Sequence, residues 1–164
     1  MTILLSLIAP LLIGPSAVQQ ASDFVELTIP RVTVQPGDSS MIVIGVRVKQ
    51  GYHIQAEEPE DEYLIPTRLE IDPAQGMRVS RPEIPPGHTV LLSGTPWNVL
   101  DGSFEMRVVV HAANVSPSPD EFLRATLRFQ ACDDKRCFAP ESLDFVIPLM
   151  MQTKTADRDR ENSH

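Results

Sequence analysis

The chain has 164 residues, only two of them cysteines, and a length that suits one domain whose core needs no crosslink for stability. Fifteen prolines, eight glycines and 5% aromatic residues favour a turn-rich β protein over a helical one. The net charge of -8 argues against a nucleic-acid-binding protein, because Lys and Arg are too few and too scattered to form a phosphate track.

The N-terminus is typical of an export signal. Residues 3–13 (ILLSLIAPLLI) are almost wholly apolar, and small residues follow up to Ala21. The run is shorter than the ~20 residues that span a bilayer and has the length of a signal-peptide core. No Lys or Arg precedes it, so the basic n-region is missing, and a short uncleaved anchor is the alternative. We predict a signal peptide over 1–21 and a periplasmic or otherwise exported protein, in a compartment where a disulfide persists.

The middle of the chain alternates apolar and polar residues with period two, the pattern of half-buried strands. Four apolar rows carry it: Ile42, Ile44, Val46 and Val48; Phe104, Met106, Val108 and Val110; Leu123, Ala125, Leu127, Phe129 and Ala131; Leu143, Phe145, Ile147 and Leu149. Turns rich in Pro, Gly and Asp separate the rows. About seven or eight strands of this kind predict an all-β domain over 22–150, an immunoglobulin-like antiparallel β-sandwich. Residues 151–164 are predicted to form a disordered polar tail.

The two cysteines, Cys132 and Cys137, stand five positions apart in the segment 129–141 (FQACDDKRCFAPE). Such spacing can hold a disulfide across a tight loop. By parity with the preceding strand, Cys132 falls in the polar row and is predicted to face solvent or a covering loop. In the chain-entropy model a loop this short contributes about 2 kcal/mol, against nearly 5 for a loop of ~100 residues. The position therefore favours a redox-active pair, and a structural staple in an inert β domain is the alternative.

Metal and cofactor sites are not expected. Two cysteines lack the second ligand pair of a closed zinc site, and the acidic run 57–62 lacks the ligand spacing of a calcium loop. Tyr52 and His53 follow a turn glycine and are candidates to border the cysteine loop. The alternative is that Tyr52 packs at a strand end and His53 is exposed. The charges between the cysteines roughly offset each other, so they do not identify the nucleophilic sulfur.

The cysteine segment resembles the N-terminal periplasmic domain of the thiol:disulfide interchange protein DsbD. The matching stretches are FQAC (129–132), CFAPE (137–141), GYHI (51–54) and LIPT (64–67), and the resemblance covers roughly 24–149. It implies an immunoglobulin fold with one redox-active disulfide. Members receive electrons from a thioredoxin-like domain and pass them to oxidised periplasmic proteins such as disulfide isomerases and cytochrome c maturation factors.

Carried over by motif, the resemblance implies that Cys132 and Cys137 are the active pair, with Cys137 forming the mixed disulfide and Cys132 resolving it. It also implies a mobile covering loop with an aromatic residue. By order along the chain this loop falls at 88–98, where Trp97, or Leu91 and Leu92, would be the shield. The best-known members have one more residue between the cysteines. The membrane domain and C-terminal thioredoxin-like domain of the full protein do not follow here, so we expect the donor on another polypeptide.

The sequence therefore predicts a periplasmic thiol–disulfide exchange protein with protein-disulfide reductase activity and no cofactor beyond the cysteine pair. Its expected partners are a thioredoxin-like domain or a membrane electron carrier as donor and oxidised periplasmic proteins as acceptors. Neither nucleic acid nor a small-molecule substrate is expected. The alternative from another class is a non-catalytic immunoglobulin-like binding module whose hairpin disulfide is structural.

Overall fold

The computed structural model describes residues 18–92, 94–114 and 122–152, with side chains from residue 21 onward. All regular secondary structure in these ranges is β-strand. No helix that could cross a membrane is found in the described ranges. Most of the predicted signal peptide (1–17) and most of the predicted tail (153–164) lie outside the described residues.

Thirteen strands are described, and they form three sheets. In chain order the strands are β1 (Val18–Ala21), β2 (Val25–Ile29), β3 (Val32–Val34), β4 (Ser39–Val48), β5 (His53–Gln55), β6 (Arg68–Asp72), β7 (Met77–Val79), β8 (His88–Leu92), β9 (Thr95–Leu100), β10 (Ser103–Ala112), β11 (Phe122–Phe129), β12 (Ala131–Cys132) and β13 (Glu141–Met151). The strand orders are β1-β2-β4-β10-β7, β3-β13-β11-β6 and β12-β5-β9-β8.

The first two sheets enclose one hydrophobic core. Period-two alternation turns the apolar row of each long strand inward, as the sequence predicts. Buried members of these rows include Ile42, Ile44, Val46 and Val48 of β4, Met106, Val108 and Val110 of β10, Leu123, Ala125, Leu127 and Phe129 of β11, and Phe145, Ile147 and Leu149 of β13. The predicted all-β, immunoglobulin-like sandwich is thereby confirmed.

The number of strands exceeds the predicted seven or eight. The additional ones are mostly two to five residues long, too short for alternation to become visible in the sequence. One pairing also departs from the antiparallel pattern, because β3 runs parallel to β13.

The third sheet positions the cysteines. After Phe129 the chain leaves its partner β13 and continues as β12, whose residues Ala131 and Cys132 pair with Ile54 and His53 of β5. On its other side β5 pairs with β9, which forms an antiparallel hairpin with β8. The segment predicted as a covering loop is therefore a two-stranded hairpin. Gly94 at its turn has φ +83°, a conformation that favours glycine.

Candidate functional site

Cys132 and Cys137 form a disulfide across a tight hairpin, with their Cα atoms 3.9 Å apart. Backbone hydrogen bonds flank the pair on both sides, from the Asp133 N–H to the Arg136 carbonyl and from the Phe138 N–H to the Ala131 carbonyl. This is the arrangement of a non-hydrogen-bonded antiparallel pair, in which facing side chains come closest. The turn between the cysteines is therefore shaped to bring the two sulfurs together.

The carboxylate of Asp133 organises this turn. Its Oδ1 accepts hydrogen bonds from the backbone N–H groups of Lys135 and Arg136, both at 2.8 Å. These bonds favour the charged form and lower the pKa of Asp133. The guanidinium of Arg136 in turn lies 4.7 Å from the ring centroid of Phe138, a cation–π distance. Asp133 and Arg136 thus stabilise the conformation of the loop between the cysteines.

The two cysteines differ in accessibility. Cys137 is partly exposed, whereas only 1% of Cys132 is accessible to solvent. Ala131 joins the hydrophobic core and Cys132 lies outside that cluster, so parity assigns the right direction to Cys132. Of the two predicted surroundings, solvent or a covering loop, exposure to solvent is wrong, because Cys132 is covered by protein. The chain changes sheets at Gln130, and β5 then runs beside Cys132, where the side chain of Gln55 contacts its sulfur.

The separate sequence stretches that carried the family resemblance converge at this point. The first, GYHI, supplies His53 and Ile54, which pair with Cys132 and Ala131. Gln130 links the second, LIPT, to the cysteine segment: its side chain accepts a hydrogen bond from the backbone N–H of Ile65 and donates one to the carbonyl of Phe138. The three stretches are distant in the sequence but lie together around the disulfide in the folded protein.

Cys137 lies on the wall of an open groove of about 470 Å³. The cysteine loop forms one side, the β8–β9 hairpin a second and the segment 60–64 a third. The lining residues are Glu60, Asp61, Tyr63, Leu64, Leu92, Thr95, Pro96, Trp97, Asp133, Asp134, Lys135, Arg136 and Cys137. A protein segment that enters this groove meets Cys137, while Cys132 is absent from its lining.

The groove brings together some of the predicted shielding residues and leaves others apart. Leu92 and Trp97 line it together with Cys137. Leu91 is 72% exposed and lies outside the lining. The ring of Trp97 stands edge-on to that of His53, with 6.5 Å between centroids, so the hairpin also contacts the strand beside Cys132.

Tyr52 belongs to an aromatic cluster behind the cysteine loop. Its ring lies 5.0 Å from that of Phe24 and 5.9 Å from that of Phe138, the residue after Cys137. Such edge-to-face contacts stabilise the cluster beyond the area that it buries. Tyr52 therefore packs just before β5, as in the alternative, and through Phe138 it also lies beside the cysteine loop.

His53 is buried, contrary to the alternative in which it is exposed. It is 9% accessible, and its Nε2 has no hydrogen-bond partner among the described residues. Burial lowers the pKa of His53, and the negative charges of Asp101 and Asp133 oppose this effect only in part. His53 therefore favours the neutral imidazole beside Cys132.

Gln55 also lies beside the disulfide, although the sequence pattern does not indicate it. This side chain is fully buried, and its Nε2 donates a hydrogen bond to Cys132 Sγ at 3.3 Å. The signal was available only as a glutamine directly after the GYHI stretch, within a strand too short to show alternation. No group of three or more His, Cys, Asp or Glu side chains in the described ranges is arranged to hold a metal.

One of two similar solved structures supports this fold. The N-terminal periplasmic domain of ScsB from Proteus mirabilis is 12% identical and has a TM-score of 0.54, covering 83% of this chain and 50% of that one. The present chain thus spans half of the ScsB chain. The N-terminal domain of Neisseria meningitidis DsbD in the reduced form is 16% identical, with a TM-score of 0.42 over 69% of this chain and 80% of that one. No curated protein matches the sequence.

Fold and site define an immunoglobulin-like domain with a single cysteine pair, one sulfur of which lies at a surface groove. The family described as "Thiol:disulfide interchange protein DsbD, N-terminal" matches residues 23–147, most of the chain. The chain therefore belongs to the family of DsbD N-terminal domains, and this membership supports a role in thiol–disulfide interchange.

Proposed function

We propose that this protein exchanges disulfides with partner proteins through Cys132 and Cys137, passing reducing equivalents from a thioredoxin-like donor to oxidised acceptors. The observation that carries the proposal is the unequal exposure of the two sulfurs. Cys137 lines an open groove and Cys132 is buried behind it. A staple that served stability alone would not require one sulfur at a groove large enough for a partner segment.

The chemistry runs through a mixed disulfide. In the reducing direction, the Cys137 thiolate attacks one sulfur of a partner disulfide, and the partner's other sulfur leaves as a thiolate. The Cys132 thiolate then attacks Cys137 Sγ, which forms the intramolecular disulfide and releases the partner's second thiolate. Two electrons pass to the partner, whose thiolates take up protons from water. The donor reverses these steps: its first thiolate attacks Cys137 and expels the Cys132 thiolate, and its second thiolate then attacks the donor sulfur of the mixed disulfide, which releases the Cys137 thiolate and leaves the donor as a disulfide.

The β8–β9 hairpin serves as a partial cover in this proposal. Leu92 and Trp97 face the same groove as Cys137, and Trp97 also contacts His53. A cover of this kind limits reaction with adventitious thiols and oxidants, while a partner segment with matching shape reaches Cys137. Leu91, which is exposed outside the groove, is available to contact a partner rather than to shield the disulfide.

The proposed setting is the periplasm or another exported location, as the apolar N-terminal segment predicts. The proposed donor is a thioredoxin-like domain or a membrane electron carrier, and the proposed acceptors are oxidised periplasmic proteins, including cytochrome c maturation factors. Family membership and the groove beside Cys137 support such protein partners.

Trapping of the mixed disulfide tests the proposal. A Cys132→Ser variant lacks the resolving sulfur, so it should accumulate a covalent adduct between Cys137 and a thioredoxin-like protein. The matched Cys137→Ser variant retains only the buried sulfur and should accumulate little adduct. If neither variant forms an adduct and both behave like the parent protein, the exchange role is wrong.

A further inference from the structure

Three polar side chains are buried in the described part of the chain, namely His53, Gln55 and Thr67, and the first two lie beside Cys132. His53 pairs with Cys132 across the β5–β12 ladder. Gln55 donates a hydrogen bond to the Cys132 sulfur, and the Thr67 hydroxyl donates one to the Gln55 carbonyl. Burial of a polar group costs free energy unless the group is hydrogen-bonded, so the presence of both His53 and Gln55 beside one sulfur requires an explanation.

Stability does not explain the presence of Gln55. Its Nε2 makes the 3.3 Å contact with Cys132 Sγ, but its Oε1 has no hydrogen-bond partner among the described residues. A buried oxygen without a partner costs about 1–3 kcal/mol. An apolar side chain of the same length, such as methionine, would fill the same volume without that cost.

The backbone on both sides holds Gln55 in place. Its N–H donates to the carbonyl of Gln130 at 3.2 Å, and its carbonyl accepts from Thr67. Gln130 directly precedes β12, so this backbone bond fixes β5 against β12. The side-chain amide of Gln55 is thereby held next to the sulfur of Cys132. The donor is therefore in position before any reaction begins.

We infer that Gln55 is a catalytic residue in disulfide exchange, whose side-chain amide N–H stabilises the negative charge that Cys132 acquires when its bond to Cys137 breaks. The inference rests on the proposed function. When an attacking thiolate forms a bond to Cys137 Sγ, the electron pair of the broken bond remains on Cys132 Sγ. Water hardly reaches this sulfur, so a protein donor must replace the hydration of the thiolate. A hydrogen bond to a charged group is the stronger kind.

The test uses Gln55→Met, with Gln75→Met as the matched control at an exposed position between β6 and β7. Dithiothreitol is the probe, because its first thiolate attacks Cys137 and its second thiolate then attacks the dithiothreitol sulfur of the mixed disulfide, releasing Cys137 and forming the cyclic oxidised product. Gln55→Met should slow this reduction about threefold, since a leaving thiolate of higher basicity leaves more slowly. Gln75→Met should match the parent.

A second measurement isolates the thiolate itself. In a Cys137→Ser background, the ultraviolet absorbance of the Cys132 thiolate is followed against pH. Gln55→Met should move the midpoint upward by roughly one pH unit, the effect of one lost hydrogen bond to a charged group. The free energy of unfolding of the oxidised Gln55→Met protein should equal or exceed that of the parent, because the unpaired Oε1 is gone.

Unchanged reduction rate and unchanged midpoint in Gln55→Met would overturn the inference. If that variant does not fold, Gln55→Leu replaces it, because leucine also lacks the donor. Gln55→Leu should show the slower reduction and the higher midpoint, and an unchanged rate and midpoint would overturn the inference. Neither measurement needs a protein partner. A failure here therefore leaves the mixed-disulfide trapping result standing, and failed trapping leaves the effect of Gln55 on Cys132 standing.

Discussion

Cys132 and Cys137 are bonded to each other, yet Cys132 is buried beside Gln55 while Cys137 lies on the wall of an open groove. An attacking thiolate that enters the groove meets Cys137, so we expect Cys132 to be the leaving group when the disulfide is reduced. This asymmetry supports the roles that the family resemblance implies for the two cysteines, from geometry alone.

The two cysteines of the reduced protein should differ in their rate of alkylation. We expect iodoacetamide to modify Cys137 roughly tenfold faster than Cys132, because thiol reactivity depends on exposure. Mass spectrometry of the Cys132→Ser and Cys137→Ser single-cysteine variants gives both rates. Equal rates, or faster modification of Cys132, would contradict the assignment of Cys137 as the accessible sulfur.

Removal of the proposed cover should expose the disulfide. Trp97→Ala should speed reduction by a small thiol roughly fivefold, the effect of about 1 kcal/mol of lost covering contacts. Phe122→Ala removes an exposed aromatic ring from β11 and serves as the matched control, with no expected change. Released thiol is the readout. An unaltered rate in Trp97→Ala would mean that the hairpin lines the groove without restricting access.

Trp97 is the sole tryptophan of the chain, so its fluorescence reports on this groove directly. We expect the emission of the parent protein to change when the Cys132–Cys137 bond is reduced, because the ring shares the groove with Cys137 and contacts His53. Cys132→Ser/Cys137→Ser has no bond to reduce and is the control. Identical emission from the oxidised and reduced parent would show that Trp97 does not sense the bond.

The buried His53 predicts a loss of stability in mild acid. Burial lowers the folded-state pKa of His53 below the ordinary histidine value of about 6.5, so the unfolded chain binds more protons in the window between the two values. The free energy of unfolding should therefore fall as pH drops from 6.5 through the folded-state pKa. His53→Gln should reduce this fall, while His111→Gln, at an exposed position, should not. Urea unfolding at several pH values across this window provides the measurement. If the free energy of unfolding falls equally with pH in the parent and in His53→Gln, the prediction is wrong.

Gly87 directly precedes the β8–β9 hairpin and packs closely against Ala56 and Val99. A Cβ there would stand 2.6 Å from Ala56 Cβ and 2.9 Å from the Val99 carbonyl oxygen. Gly87→Ala should lower the free energy of unfolding by about 1–3 kcal/mol, the usual cost of overpacking. Ala56→Gly in the same chain should recover part of this loss, as a double-mutant cycle would show. Full stability of Gly87→Ala would contradict the observed packing.

The sequence predicts the sandwich well, because β4, β10, β11 and β13 are long enough for alternation to reveal which side is buried. It does not predict β5, in which His53, Ile54 and Gln55 are all buried and no alternation exists. It also misjudges the surroundings of Cys132, since parity follows one strand and cannot detect that Gln130 transfers the chain to another sheet. The hydrogen bond from Gln55 depends on this non-local pairing and therefore required the structure.

A redox titration of the Cys132–Cys137 pair against glutathione or dithiothreitol buffers tests the central claim most directly. An exchange protein is expected to have a reduction potential of about −270 to −120 mV, the range of proteins that cycle between dithiol and disulfide. A potential below about −300 mV is typical of a structural disulfide. That result, together with a loss of stability on reduction, would contradict the exchange role and identify the pair as a staple of an immunoglobulin-like binding module.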